Sequence, residues 1–253
     1  MIKQKSLVFS LAVSLSTIAY GQQMIVEHPL GKFYSKSANE LIFSWADCTN
    51  ENSQVTGQAG AVVKADPIVR FSAFVNTQEQ FHYDFTKNIG LFTGIGVRNV
   101  GFISNLFDGT NTIKVKYRQY ALGVPLALKL GSMNKNLYVA FGAEMELFFN
   151  YKKKVFYNDT KTKYSEWFSK RSELFNPSLF AEVNFKKGQF VRFRYYLNDF
   201  LKVNNEGVIY GNSQEAFPFD GTPSQVMYIS IGTAIDWDDI KKTGSGPMKA
   251  SLY

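Results

Sequence analysis

The sequence predicts an all-β fold, a transmembrane antiparallel up-and-down β-barrel of eight strands, and three observations lead to it. The 253-residue chain is 45% hydrophobic and 16% aromatic, and its 23 Phe and 14 Tyr favour pleated surfaces over helices. Eight segments alternate between apolar and polar residues with a period of two. The connections between them alternate between long and short, which predicts antiparallel strands with all long loops at one end of the sheet.

The predicted strands are 39–47, 66–76, 81–99, 113–131, 137–151, 177–185, 190–200 and 225–237. The short connections are 76–80, 132–136 and 186–189, and the long ones are 48–65, 100–112, 152–176 and 201–224. Eight antiparallel strands put both chain termini on the short-turn side. We expect that side to face the periplasm and the long loops to face the exterior, with Leu126 and Ile231 on the lipid face.

The first residues resemble a secretory signal. Lys3 and Lys5 precede a mostly apolar stretch at 7–19, and small residues at Ala19 and Gly21 supply a cleavage site. The alternative is a buried N-terminal strand or helix. We therefore expect a signal peptide at 1–21, a periplasmic segment at 22–38, the barrel at 39–237 and a periplasmic tail at 238–253.

A soluble barrel would alternate equally well, so three further features favour the membrane. The face opposite the apolar one carries charges of both signs, which suit a polar interior: Glu40, Arg70, His82, Asp84, Arg98, Glu144, Glu146, Glu182, Arg192 and Arg194. Aromatic residues near strand ends suit interfacial girdles: Phe81, Tyr83, Phe85, Tyr120, Phe149, Tyr151, Phe200 and Trp237. The last segment resembles the assembly signal of outer-membrane barrels, through Ser230, Gly232, Ile235 and Trp237.

Four runs extend this resemblance: 117–126, 144–152, 167–171 and 192–197. Over roughly 38–237 the chain is similar to small outer-membrane β-barrel proteins of Bacteroidota, of the eight-stranded OmpA and OmpX type. The resemblance implies the cell outer membrane as location and assigns no catalytic residue. The tail after Trp237 departs from the usual pattern, in which the assembly signal ends the chain.

An eight-stranded barrel is only wide enough for side chains or one small ligand. We expect the inward charges to form a salt-bridged plug, because buried charges are tolerated only when they are paired. A narrow solute path and an active site are the alternatives. Glu144 and Glu146 have the spacing of an acid–base pair, but pairing with Arg192 and Arg194 is simpler. His82 with Asp84 has no accompanying serine motif, which favours a hydrogen-bonded interior histidine.

Other classes of chemistry find little support. A single cysteine excludes an intramolecular disulfide, and with two histidines it argues against a zinc site. Gly90, Gly94 and Gly96 lack the Lys-Ser/Thr of a phosphate loop and more simply make room for bulky neighbours. No nucleic-acid motif accompanies the net charge of +7. We expect no cofactor, no metal and no nucleic-acid partner.

The long segment 152–176 combines cations with aromatic residues, which suits either a solvated loop or contact with lipopolysaccharide phosphates. Three functions follow as hypotheses: a non-enzymatic structural or interaction component, a small pore or transport-associated subunit, and an outer-membrane lipid-modifying enzyme. Expected partners are outer-membrane lipid and lipopolysaccharide, the barrel assembly machinery during biogenesis, and an unidentified protein.

Overall fold

The computed structural model describes residues 30–47, 55–56, 62–107, 112–157, 160–202 and 224–236. In these ranges the strands, in chain order, are β1 Phe33–Asp47, β2 Val55–Thr56, β3 Val62–Ile68, β4 Arg70–Ser72, β5 Thr77–Asp84, β6 Ile89–Phe107, β7 Thr112–Ser132, β8 Leu137–Tyr157, β9 Thr160–Trp167, β10 Phe175–Asn184, β11 Gln189–Tyr196 and β12 Gln225–Asp236. A short 3-10 turn spans Met133–Lys135. No helix in the described ranges is long and apolar enough to span a membrane.

Eight strands close a ring in which every neighbouring pair is antiparallel. The order around the ring is β1, β5, β6, β7, β8, β10, β11 and β12, and β12 pairs back with β1. Before β5 in the chain, β3 pairs with β6 and β4 pairs with β1. β9 pairs with the part of β8 that extends past its pairing with β10. The predicted eight-stranded antiparallel barrel is therefore confirmed.

Three short turns, 85–88, 133–136 and 185–188, lie at the same end of the ring as the start of β1 and the end of β12; we call this the turn end. Backbone hydrogen bonds join them: the Gly131 N–H donates to Asn88 O at 2.9 Å, and the Ala234 N–H to Gly188 O at 2.7 Å. At the opposite end, the loop end, β6, β7 and β8 extend farthest, with 19, 21 and 21 residues against 8 in β11.

The prediction of a short turn at 76–80 was wrong. Those residues mostly belong to β5, and the chain turns at 85–88 instead. The Thr86 hydroxyl oxygen accepts hydrogen bonds from the N–H groups of Asn88 and Ile89, at 3.1 and 3.0 Å. Because a hydroxyl closes this turn, it carries none of the proline or paired-glycine signals that mark turns in a sequence.

The first strand begins at Phe33, before the predicted Asn39, so part of the segment assigned to 22–38 belongs to the barrel. Tyr34, Lys36 and Ala38 point inward, while the outward positions between them carry the polar Ser35 and Ser37, so this part of the strand has no apolar outer face to recognise. The predicted long loop 152–176 is also partly strand, because β8 continues to Tyr157 and β9 pairs with it. The predicted signal peptide at 1–21 and the tail at 238–253 lie outside the described residues.

Candidate functional site

The outer surface of the ring is apolar around its whole circumference. Leu126, Phe141 and Ile231 are 60%, 55% and 53% exposed. Apolar side chains of the same kind cover the rest of these strands and several others: Ile95, Val124, Met145, Leu179, Val183, Phe193 and Ile229. Charged side chains such as Arg98, Glu144 and Arg194 lie in the interior instead, which is the reverse of a water-soluble barrel and matches a lipid-facing exterior. The chain is a transmembrane β-barrel.

Exterior aromatic residues mark both edges of this apolar band. At the turn end, the ring centroid of Tyr83 lies 4.8 Å from that of Phe33 and 5.1 Å from that of Phe85. At the loop end, Phe149 stacks with Tyr120 at 6.3 Å and with Trp167 at 5.9 Å. Such belts occupy the boundary between hydrocarbon and headgroups. Trp237, predicted for the same role, lies outside the described residues.

Tyr151 and Phe200 were wrongly assigned to the girdles, because both are buried in the interior. In β8 a bulge opposite Tyr120 and Ala121 inserts one extra residue, Phe149. An inserted residue reverses the inside–outside alternation of the strand beyond it. Phe200 lies past the end of β11, where strand alternation no longer applies.

All ten charged residues predicted for the interior are buried. Nine of them, all except Arg70, belong to one continuous set of ion pairs and hydrogen bonds, which we call the ionic network. Its charged members within the prediction are Glu40, His82, Asp84, Arg98, Glu144, Glu146, Glu182, Arg192 and Arg194.

At the barrel centre, three arginines bind four glutamates. Arg98 pairs with Glu40 at 2.7 Å, with Glu146 at 3.0 Å and with Glu144. Arg194 pairs with the same two β8 carboxylates, at 2.5 and 3.3 Å. Arg98 of β6 therefore binds carboxylates of β1 and β8, and Arg194 of β11 binds carboxylates of β8, so charges from four strands stabilise one another in the buried interior.

The predicted partner of Arg192 was wrong. Arg192 pairs with Glu182 at 2.6 Å and with Glu40 at 3.4 Å, and neither β8 glutamate is its partner. Glu182 stands directly opposite Arg192 in the β10–β11 register, where cross-strand side chains are closest. Arg98 pairs with Glu144 and Glu146 instead, a contact that the sequence did not predict.

Neutral groups add further contacts to these charges, although Arg98 Nη2 and Arg194 Nε are buried without a hydrogen-bond partner among the described residues. Ser230 donates to Glu40 and Tyr196 donates to Glu146, both at 2.6 Å, and Ser178 accepts from Arg194 at 2.9 Å. The guanidinium groups of Arg192 and Arg194 lie 5.2 and 5.0 Å from the Phe180 ring centroid. Hydroxyl donors and an aromatic face thus occupy positions that water would fill in a wider barrel.

A second group of residues continues the ionic network to the turn end. Lys129 pairs with Asp84 at 2.5 Å, and its ammonium lies 3.0 Å from the Tyr34 hydroxyl and 3.2 Å from His82 Nδ1. His82 Nε2 is 3.1 Å from Gln80 Oε1, and Gln80 donates to Gln78 at 2.9 Å. Gln78 Oε1 in turn accepts from Arg192 at 3.3 Å, which joins the two groups.

Arg70 stands apart, because it lies where β4 pairs with β1 but not with β6. Its guanidinium donates to the backbone oxygen of Asn99 at 3.1 Å and to the side-chain oxygen of Asn99 at 2.6 Å. Nearby, the Asn99 N–H donates to Asn76 at 2.9 Å, and Ser44 donates to Gly101 O at 2.5 Å. Side chains here satisfy the β6 backbone groups that a neighbouring strand would otherwise bind.

Sequence reasoning missed the apolar interior at the loop end. On the loop-end side of the ionic network, aliphatic and aromatic side chains from most of the ring pack together: Ile42, Val100, Phe102, Val115, Tyr117, Phe148, Tyr151, Tyr196, Phe200, Leu201, Val226 and Tyr228. Lys129, Tyr34 and Gln78 were missed as well. The alternation of the sequence indicates that Lys129 points inward, because it lies between the lipid-facing Leu128 and Leu130.

The residues of the predicted assembly signal fall on both faces of β12. Ser230 is buried and binds Glu40, while Ile235 is on the outward phase. Gly232 faces Phe190, and a Cβ added to it would lie 2.2 Å from the phenyl ring. Close packing against Phe190 therefore requires a glycine at this position, independently of any role in assembly. The fourth residue, Trp237, lies outside the described residues.

The groups considered for alternative chemistries are bonded within the interior. His82 is buried, and its ring nitrogens lie within hydrogen-bonding distance of Lys129 and Gln80. Glu144 and Glu146 each bind two arginines. In the part of the chain that the structure describes, no group of three or more His, Cys, Asp or Glu side chains is arranged to hold a metal ion.

Comparison with known proteins gives only remote structural likenesses. No family model matches the chain, and no curated protein matches it by sequence. Ail, the attachment invasion locus protein of Yersinia pestis, is 10% identical with a TM-score of 0.28, covering 79% of this chain and 99% of its own. The outer membrane protein OprG from Pseudomonas aeruginosa is 13% identical with a TM-score of 0.35, covering 83% and 95%. The barrel assignment rests on the strand pairing of this chain.

Proposed function

We propose that the protein is an integral outer-membrane β-barrel that serves as a non-enzymatic, non-conducting structural or interaction component. The observation that carries this proposal is the continuous ionic network from Lys129 and Asp84 at the turn end to Arg194 at the centre. Ion pairs that bridge the interior strands hold the wall rigid, and they occupy the space that a solute or substrate requires.

The orientation and biogenesis belong to the same proposal. Short turns face the periplasm, and the long strands β6, β7 and β8, with β9 paired to β8, project from the cell, as in bacterial barrels. The signal segment at 1–21 directs export. Ser230, Gly232, Ile235 and Trp237 then engage the barrel assembly machinery, and the small outer-membrane barrels of Bacteroidota are the family to which we assign the chain. A surface protein partner would bind the projecting strands.

Cell fractionation combined with gel mobility tests this proposal. Outer-membrane barrels stay folded in cold detergent and migrate differently after boiling. We expect the protein in the outer-membrane fraction, with a mobility shift on heating. Recovery in the soluble periplasm, with the same mobility before and after heating, would refute the membrane assignment.

A further inference from the structure

The outward face of the extended β7, β8 and β9 strands carries seven cations, which we call the basic strip: Lys114, Lys116, Arg118, Lys152, Lys154, Lys161 and Lys163. Strand register sets three of them side by side, because Lys116 stands opposite Lys154 and Lys154 stands opposite Lys163. Arg118 stands opposite Lys152 in the same way. Like charges directly across a sheet are destabilising unless an anion lies between them.

The protein does not supply that anion within the described residues. The ion pairs found outside the barrel interior in the described ranges, Arg171 with Glu166 and Lys202 with Glu173, use other cations. The side chains of Lys116 and Lys161 rest against the Phe156 ring instead, at 5.2 and 5.4 Å from its centroid. Their ammonium groups therefore keep hydrogen-bonding capacity for an external ligand.

Partial burial lowers the pKa of Lys116 and of Lys154, and crowding of the cations lowers it further; both lysines lie beyond the aromatic girdle and outside the membrane-spanning part. Partial burial is the larger cause for each. The remainder comes from neighbouring cations: Lys114, Lys161 and Arg118 act on Lys116, while Arg118, Lys161 and Lys163 act on Lys154. A bound anion would offset this mutual repulsion.

The position of the strip relative to the bilayer identifies the anion. Lys152 lies 4.8 Å from the ring centroid of Tyr120, a member of the loop-end girdle. Lys116 is four residues farther along β7, about 13 Å at ~3.3 Å per residue, or about 9 Å in height for a strand tilted by ~45°. Headgroups add about 5–7.5 Å to each side of the hydrocarbon, so the strip begins at the girdle, crosses this layer and reaches its outer edge near Lys116.

We propose that the basic strip binds the phosphate groups of outer-leaflet lipopolysaccharide, while Phe149 and Trp167 pack against its acyl chains. This inference rests on the proposed outer-membrane location. Neighbouring strands are about 4.8 Å apart, so the row of Lys116, Lys154 and Lys163 spans about 10 Å. A row of that width suits a lipid bearing more than one phosphate.

Binding of fluorescent lipopolysaccharide to the purified full chain in phosphatidylcholine nanodiscs tests the proposal. The variant Lys116→Gln/Lys154→Gln removes two cations from the strip. The matched control Lys135→Gln/Lys187→Gln removes two exposed cations from the turn end. We expect the strip variant to bind at least about tenfold more weakly and the control to bind like the wild type.

Dephosphorylated lipopolysaccharide separates phosphate recognition from acyl-chain contact, and all three proteins should bind it weakly and alike. Equal affinity of the strip variant and the wild type for the phosphorylated lipid would overturn the proposal, as would equal binding of both lipids by the wild type. Complete displacement by soluble inorganic polyphosphate would also overturn it, by showing a general polyanion site. Gel mobility of the same samples reports folding separately, so a negative binding result leaves the barrel assignment intact.

Discussion

Glu182 and Arg192 show how single residues hold the interior together. They face each other across β10 and β11, with two hydrogen bonds of 2.9 and 2.6 Å from Arg192 to one carboxylate oxygen. Both side chains are about 1% exposed. Truncating one partner of such a pair leaves a buried charge with less compensation, which costs far more than losing a pair at the surface.

A double-mutant cycle measures this coupling. We expect Glu182→Ala and Arg192→Ala each to lower the free energy of unfolding by about 3–5 kcal/mol. The double variant should lose less than the sum, with a coupling of about 1–3 kcal/mol. Urea unfolding in lipid vesicles supplies the energies.

The more exposed pair Glu166 and Arg171, at 2.7 Å and with side chains 39% and 15% exposed, provides the comparison, and its coupling should stay below about 1 kcal/mol. Strictly additive losses for Glu182 and Arg192 would show that the two charges do not interact.

Gly123 tests the packing around the β8 glutamates. A Cβ at this position would lie 2.0 Å from Glu144 Oε1 and 3.0 Å from Glu146 Cγ. We expect Gly123→Ala to destabilise the barrel by about 1–3 kcal/mol, because the carboxylate must leave its arginine partners. Gly96→Ala, whose nearest atom is the Gln78 Cβ at 3.2 Å, is the milder comparison. Equal unfolding midpoints for the two variants would contradict the packing described here.

The residue types of the interior followed from the sequence, but their partners did not. Alternation predicts that Glu40 and Arg98 face inward, and it also predicts the inward Lys129. Their contact depends on strand tilt and on the stagger between strands, because β1 and β6 are not neighbours in the ring. Alternation also places Arg70 inward, which is why it was predicted to join the ion pairs. It binds Asn99 instead, because β4 does not pair with β6 at this point.

At the scale of whole strands, the alternation predicted correctly which side chains of most strands face outward. β7 places Leu126 outward, as expected for its lipid-facing side. Errors arose where a local feature interrupts the period: the hydroxyl-closed turn at 85–88, the bulge at Phe149 and the early start of β1. None of these leaves a distinct signature in composition, since each depends on a hydrogen bond or on pairing with a neighbouring strand.

Arginine substitution on the lipid face tests the phase of β7. We expect Leu126→Arg to destabilise the barrel by about 2–4 kcal/mol, because it places a cation near the bilayer midplane. Leu137→Arg, at the turn-end start of β8, should cost about 0–1 kcal/mol near the interface. Folding yields into vesicles provide the measurement, and equal yields for the two variants would show that Leu126 does not face lipid.

At the scale of the whole molecule, the count of eight strands, the single ring and the polarity reversal agreed with the sequence prediction. The predicted strands 66–76 and 81–99 were nevertheless wrong, because the first gives no strand of the ring and the second contains parts of both β5 and β6. The sequence predicted only part of what fills the barrel. The ionic network occupies the centre and turn end, and an apolar cluster including Phe102, Phe148 and Phe200 occupies the loop end. Together they give a transmembrane barrel that is filled by side chains along its axis.

The conductance of the purified protein in planar lipid bilayers tests this central claim most directly, with an established porin in the same bilayer as a positive control. The packed interior predicts no steady single-channel currents after the protein inserts, and insertion is verified by its heat-dependent gel mobility. Large, steady channel currents from the wild-type protein would contradict the packed interior and would favour the small-pore alternative instead.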